Sequence, residues 1–253
     1  MINGQPLPDS PESATMDLHV ESDITDLVVT TRPGATISGR IVFADAPPPV
    51  VPGEPDPITQ LRVSATSPPQ GMPFGINVPP TQVSRDLTFT LKGMAGPVII
   101  RANALPRNFI IKQVLVGSED ITDRPHEFTE RESGELQVVI TSRTSGLEGT
   151  LTDNAGKPAL DAIVVVMPDS AEARRGLGSG IYRTGSPDPR GHYRMMTMRP
   201  GRYLIAVVSR DAMPRGPNNT DAIEEIAKDA KPITLGEGEF QVLDLKFSGG
   251  GGA

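Results

Sequence analysis

Only three histidines, His19, His126 and His192, are available to this chain as neutral-pH general bases or imidazole metal ligands, and they fall in three separate segments. His126-Glu127-Phe128-Thr129-Glu130 lacks the second histidine of a helical zinc motif, so these three are expected to be solvent-facing strand or loop residues. Gly176-Leu177-Gly178-Ser179-Gly180 has the glycine density of a phosphate loop or a serine elbow and the spacing of neither. Ser179 has no glycine two residues before or after it, and no Lys-Ser/Thr pair follows, which leaves a mobile loop between strands. Asp23-Ile24-Thr25-Asp26 recurs as Asp120-Ile121-Thr122-Asp123. Each copy offers two carboxylates where a calcium site gathers about six to eight oxygens, so turn capping is the expected role. The chain has no cysteine, which removes disulfides, thiolate nucleophiles and cysteine-type zinc sites together. No catalytic residue, cofactor or metal site is therefore expected. The one group that could contact a ligand is Arg174, Arg175 and Tyr182, two adjacent guanidinium groups and an aromatic ring around that glycine-rich loop, with glycan or peptide as the candidate ligand. A second loop of that kind is the proline-rich stretch from Pro47 to Pro57.

The charge balance narrows the partners. Lys and Arg number 24 against 31 Asp and Glu, a net charge of -7. Such a surface repels phosphate backbones, so nucleic-acid binding is disfavoured. The first ten residues have neither a basic segment nor an apolar run, which is no signal peptide, and no apolar stretch approaches membrane-spanning length, so no membrane insertion is expected. Export would have to be specified by sequence outside this chain.

The elements that must position any site are strands. The chain has 26 Gly and 26 Pro in 253 residues, the punctuation of many short strands and turns. It also repeats itself. Ala35-Thr36-Ile37-Ser38-Gly39-Arg40-Ile41-Val42 returns as Ser145-Gly146-Leu147-Glu148-Gly149-Thr150-Leu151-Thr152, with Gly39 and Gly149 in register, a period of about 110 residues. Phe89 to Gly96 returns in the same order as Tyr193 to Gly201. That period is a whole small domain rather than a solenoid unit. Ile37, Gly39, Ile41 and Phe43 alternate as one face of a sandwich strand should. Strands are expected near Gln60 to Thr66, Asp86 to Lys92, Pro97 to Ala102, Phe109 to Gly117 and Leu136 to Ser142. In the second copy Ala162 to Met167, His192 to Met198 and Gly201 to Val208 are strands, and turns fall at Asp153-Asn154-Ala155-Gly156 and Asp188-Pro189-Arg190-Gly191. One helix is expected from Asp221 to about Ala230, opened by an Asp221 and Glu224 capping pattern and stopped by Pro232. The runs Met16 to Val20 and Leu27 to Thr31 read as a strand pair ahead of the first repeat.

The second half resembles a known family. Gly149-Thr150-Leu151-Thr152-Asp153-Asn154-Ala155-Gly156-Lys157-Pro158, Ala162 to Val166, Asp188-Pro189-Arg190-Gly191-His192-Tyr193 and Met198-Arg199-Pro200-Gly201-Arg202-Tyr203 are similar, in order and spacing, to the bacterial carboxypeptidase regulatory-like domain. Residues 35 to 143 follow the pattern more loosely, with Val98 in place of the tyrosine of the return motif. The resemblance implies a prealbumin-like (transthyretin-like) sandwich of about seven strands per domain, in a carbohydrate-binding-like fold, found in exported bacterial proteins with structural or adhesive roles.

The expectation is thus an all-β chain of two tandem seven-stranded Greek-key β-sandwiches. Residues 1–34 are a lead-in and the closing strands of a truncated preceding domain, 35–143 the first sandwich, 144–248 the second with one short helix, and 249–253 a flexible glycine-rich tail. The expected role is a non-enzymatic scaffold module outside the cytoplasm (periplasmic, cell-surface or secreted). Its partners are neighbouring domains of the same or an identical chain, met through edge strands. Carbohydrate or peptide binding is the alternative. The absence of Trp and the presence of only three Tyr weigh against a sugar-stacking surface. No lysine stands in the opening strands and no asparagine in the closing ones, so no Lys-Asn crosslink is expected.

Overall fold

The computed structural model describes residues 12–14, 25–68, 77–176, 182–213 and 220–249. A short antiparallel pair comes first, β1 (Glu12–Ser13) with β2 (Arg32–Pro33). The expected partner run Met16 to Val20 lies outside the described residues. Leu27 to Thr31 is exposed and outside any strand, so the pairing forms at other residues than the alternation suggested.

The first sandwich is built from β3 (Ala35–Phe43), α1 (Pro57–Gln60), β4 (Arg62–Thr66), β5 (Asn77–Gln82), β6 (Thr88–Met94), β7 (Pro97–Asn103), β8 (Ile110–Val116), β9 (Glu119–Asp120), β10 (His126–Glu127) and β11 (Leu136–Thr141). One sheet has the order β10-β7-β4-β5 and the other β6-β3-β11-β8-β9. Seven strands run to five residues or more, and β9 and β10 are two-residue edge pairings. Between the sheets lies a core of Ile37, Leu61, Leu91, Leu136, Ile140 and their neighbours. The proline-rich loop stays out of the sheets, and Asp56 caps α1 through the Ile58 amide with Pro57 in the first turn.

The second sandwich repeats the plan with β12 (Ser145–Thr152), β13 (Ala162–Pro168), α2 (Ala171–Gly176), β14 (Arg183–Gly185), β15 (His192–Met198), β16 (Gly201–Ser209), α3 (Thr220–Lys228), β17 (Lys231–Leu235), β18 (Phe240–Val242) and β19 (Leu245–Lys246). Its sheets are β15-β12-β18, with β19 continuing on β12, and β14-β13-β16-β17. In both sandwiches the closing strand runs parallel to the opening one, β11 on β3 and β18 on β12. The apolar run from Ala162 to Met167 is buried on both faces. One side meets the core of Leu147, Tyr193 and Ile205, and the other carries Ile163, Val165 and Met167 against Ile223 of α3.

The repeated signature has a physical cause. Gly39 stands opposite Phe89, and Gly149 opposite Tyr193, in matching registers. A Cβ on Gly39 would come within 2.7 Å of the Phe89 ring, and one on Gly149 would overlap the carbonyl of Leu243 where the closing strand crosses. In both copies a carbonyl of the closing segment, Leu136 in the first and Leu243 in the second, stands where a Cβ would be, so the glycine recurs. The same strand pairs share a bulge, between Ala35 and Ile37 in one and between Ser145 and Leu147 in the other. Across the first bulge Gly93 has φ 74°; across the second its equivalent is Thr197, φ 60°.

Both expected turns of the second copy form by the expected means. Asp153 accepts the amides of Ala155 and Lys157, Asp188 those of Arg190 and His192, while Gly156 and Gly191 take positive φ.

Candidate functional site

The guanidinium of Arg174 is buried between α2, α3 and the end of β13. It is 6% exposed, donates to both carboxylate oxygens of Glu224 at 3.1 and 2.9 Å, and donates to the carbonyls of Pro168 and Asp169. The sequence made it a candidate ligand contact beside the glycine-rich loop; α2 instead folds it against α3, so its charge locks the two helices to β13. Glu224, expected as a helix cap, is the other half of that lock. Arg175 follows in α2, and the glycine-rich segment 177–181 lies outside the described residues. Tyr182 is half-buried beside Ile223 and Leu204. Arg174 is thus engaged within the fold, and the side chain of Arg175 lies outside the described residues.

The histidines separate too. His192 is exposed, His19 lies outside the described residues, and His126 is half-buried rather than solvent-facing. Its Nε2 sits 2.9 Å from Glu132, and its ring meets Phe128 edge-on at 4.6 Å, because Phe128 enters the core and draws the short edge strand β10 inward. Among the described residues no group of three or more His, Asp or Glu is placed to hold a metal ion. No described helix is long and apolar enough to cross a membrane.

What the structure brings together is a cleft of about 770 Å³ between the two sandwiches. The first sandwich contributes Arg101 from β7, Lys112 and Gln113 from β8, and the Asp120-to-Arg124 turn; the second contributes Arg183 from β14 and the Arg199-to-Tyr203 return. Asp120 does cap its turn, accepting the amide and hydroxyl of Thr122, as the Asp-x-x-Asp spacing suggested. Asp123 does something the spacing did not announce. It pairs with Arg101 at 3.2 Å and with Arg199 of the other sandwich. Arg199 also donates through Nε to the Ile111 carbonyl at 2.8 Å, and Lys112 reaches Glu237 at 3.1 Å.

Six basic side chains line the cleft against two acidic ones, but Asp123 takes Arg101 and Arg199, and Glu119, Asp169 and Glu237 pair Arg124, Arg202 and Lys112. Arg202 is 75% exposed at its side chain and holds Asp169 at 2.6 Å. Arg183 is exposed, and among the described residues no carboxylate pairs with it. Burial pushes the Tyr203 phenol above its usual range while the cations of Arg199 and Arg183 pull it back. Burial lowers the Arg101 guanidinium somewhat, against the pull of Asp123. No sequence motif marks this cluster, since its members are spread from residue 101 to residue 203.

The tyrosines do not make a sugar platform. Tyr193 is buried with its hydroxyl donating to the Leu243 carbonyl at 2.6 Å, and the Tyr203 hydroxyl donates to the Arg199 carbonyl at 2.7 Å.

No family model matches this chain, so the resemblance to the carboxypeptidase regulatory-like domain rests on strand and turn pattern alone. No curated protein matches it either. Among solved structures it is similar to the Bacillus anthracis TIE protein, at 14% identity and TM-score 0.29, covering 88% of this chain and 38% of that one. It is similar to a minor pilin of Streptococcus agalactiae, at 12% identity and TM-score 0.33, covering 83% of this chain and 94% of that one. The major pilin subunit of Bacillus cereus stands at 13% identity and TM-score 0.30, covering 85% of this chain and 69% of that one. Likeness of this degree carries no functional weight, and the sandwich architecture stands on the strand pairings themselves.

Proposed function

We propose that this chain is a non-enzymatic structural module, a stiff two-sandwich spacer belonging to an exported bacterial protein and working outside the cytoplasm. The observation that carries this reading is the joint. Only residues 142–144 separate β11 from β12, and both sides of that joint are tied down. Asp45 of the first sandwich accepts from the Ser142 amide, the Ser142 hydroxyl at 2.7 Å and the Thr141 hydroxyl at 3.1 Å. Ser145, wholly buried, donates to the Gly236 carbonyl of the second at 2.6 Å. Arg199 then bridges the sandwiches away from the joint, through Ile111 and Asp123. A linker this short, with a bridge at its side, suppresses the relative motion that tandem domains otherwise show. Carbohydrate binding has less support, because the Tyr193 and Tyr203 hydroxyls are engaged by backbone carbonyls and Tyr182 packs partly buried against the outer core.

The absence of native cysteine makes the test direct. Arg85→Cys and Asn154→Cys place spin labels on exposed sites of the two sandwiches. A spacer gives one narrow distance distribution that broadens when Arg199→Ala is added. A broad distribution in the parent chain would overturn the reading.

A further inference from the structure

Of the six cations that line the cleft, five meet carboxylates of the same chain and Arg183, among the described residues, does not, while the N-terminal part of the chain carries an unbalanced run of the opposite sign. Residues 1–31 contain Asp9, Glu12, Asp17, Glu21, Asp23 and Asp26 and no Lys or Arg. We propose that the cleft is the receptor for this acidic N-terminal segment, residues 9–26, of a second copy of the same chain.

Three observations lead there. The first is charge: Arg183 and Arg202 stand on the exposed side of the cleft, Arg183 without a carboxylate partner among the described residues, and planar guanidinium forks suit carboxylates. The second is position. Lys112 and Gln113 lie level with the end of β3, since Ile140 pairs with both Phe43 and Ile111. The β1 and β2 pair precedes Ala35 at the opposite end of β3, nine residues away, or about 30 Å at roughly 3.3 Å per residue. Strand β1, which carries Glu12, thus stands at the end of β3 away from the cleft. The third is composition: residues 1–31 carry six carboxylates and no Lys or Arg, so the run holds no cation of its own to meet them. A contact between two different surfaces of identical copies is heterologous, so it propagates head to tail rather than closing a dimer. This inference stands apart from the spacer reading, since a stiff monomer satisfies that reading equally well.

The experiment is a charge swap in the full chain, followed by sedimentation velocity across protein concentration. The parent chain is expected to associate at about 20 mM salt and to fall apart near 500 mM, where screening reaches within a few ångström. Arg183→Glu with Arg202→Glu, and separately Asp17→Lys with Glu21→Lys and Asp23→Lys, are each expected to abolish association. Mixing the two variants restores it, because the lysine segment then meets an acidic cleft. A labelled peptide of residues 9–26 is expected to bind the parent at least about tenfold more tightly than the Arg183→Glu, Arg202→Glu chain. A parent that stays monomeric at every concentration and ignores the peptide would overturn the proposal. Association lost on Val242→Lys, at the exposed edge strand β18, but kept in both charge variants would also overturn it in favour of edge pairing. Equal affinity for polyglutamate of the same length would overturn the occupant.

Discussion

Gly149 shows how much of this molecule rests on single atoms. Its missing side chain lets β12 pass beneath the Leu243 carbonyl while Tyr193 stands opposite it on the facing strand. Gly149→Ala is therefore expected to cost about 1–3 kcal/mol through forced backbone shifts; an unchanged urea midpoint would contradict the packing. Thr197 is the opposite case, a β-branched residue held at φ 60° where the first sandwich has Gly93. The left-handed region costs an L-residue roughly 1–2 kcal/mol, less the entropy that glycine loses on folding. Thr197→Gly should thus stabilise by about 0.5–1 kcal/mol, and Gly93→Thr should destabilise by a similar amount; thermal melts of the two variants shifting in the same direction would refute the shared bulge. Tyr193 is pushed up to about 12, first by burial and then by the nearby Asp244 charge. Because a raised phenol stabilises the fold below the unfolded pKa and loses that contribution as pH climbs toward the folded one, alkaline unfolding should begin between about pH 10 and 12. Absorbance at the phenolate band would show Tyr193 titrating only with that unfolding.

At the level of elements, the Arg174 and Glu224 pair joins α2 and α3 to the outer face of β13. Arg174→Ala would strand the Glu224 carboxylate against that face, at a cost of about 2–3 kcal/mol given that the glutamate keeps some solvent contact. Circular dichroism should report lost helix in the variant; unchanged helicity and stability would show the pair to be ornamental. Most strands are legible in the amino-acid sequence, because alternation at Ile37, Gly39 and Ile41 and the unbroken run from Ala162 to Met167 each permit one placement. Several elements are not, and two of them show why. β5 holds Pro79 and Pro80, which read as a breaker, yet it lies at the edge of its sheet, where missing amide donors can face outward. α2 is six residues long and is stabilised by the distant Glu224, so no local pattern could announce it.

The molecule as a whole depends on the joint between its sandwiches, and acid should open it. Burial raises the Asp45 carboxyl, but the hydrogen bonds from Ser142, Thr141 and Arg143 outweigh that and hold it below its usual range. A depressed carboxyl contributes stability above its unfolded value near 3.9 and loses it as pH falls through the lower folded one. The radius of gyration from small-angle scattering should therefore increase below about pH 4, before either sandwich unfolds. No increase would remove Asp45 from the joint. The amino-acid sequence by itself determined most of the longer strands, the turns at Asp153 and Asp188, the repeat and the all-β class, because these follow from local backbone preference and from a periodicity of two. Tertiary structure alone decided that Arg174 is buried, that Asp123 bridges two sandwiches and that residues from 101 to 203 share one basic cleft. Those outcomes depend on which distant side chains meet when two sandwiches are set against each other across a three-residue joint. Spacing along the chain carries no record of that meeting.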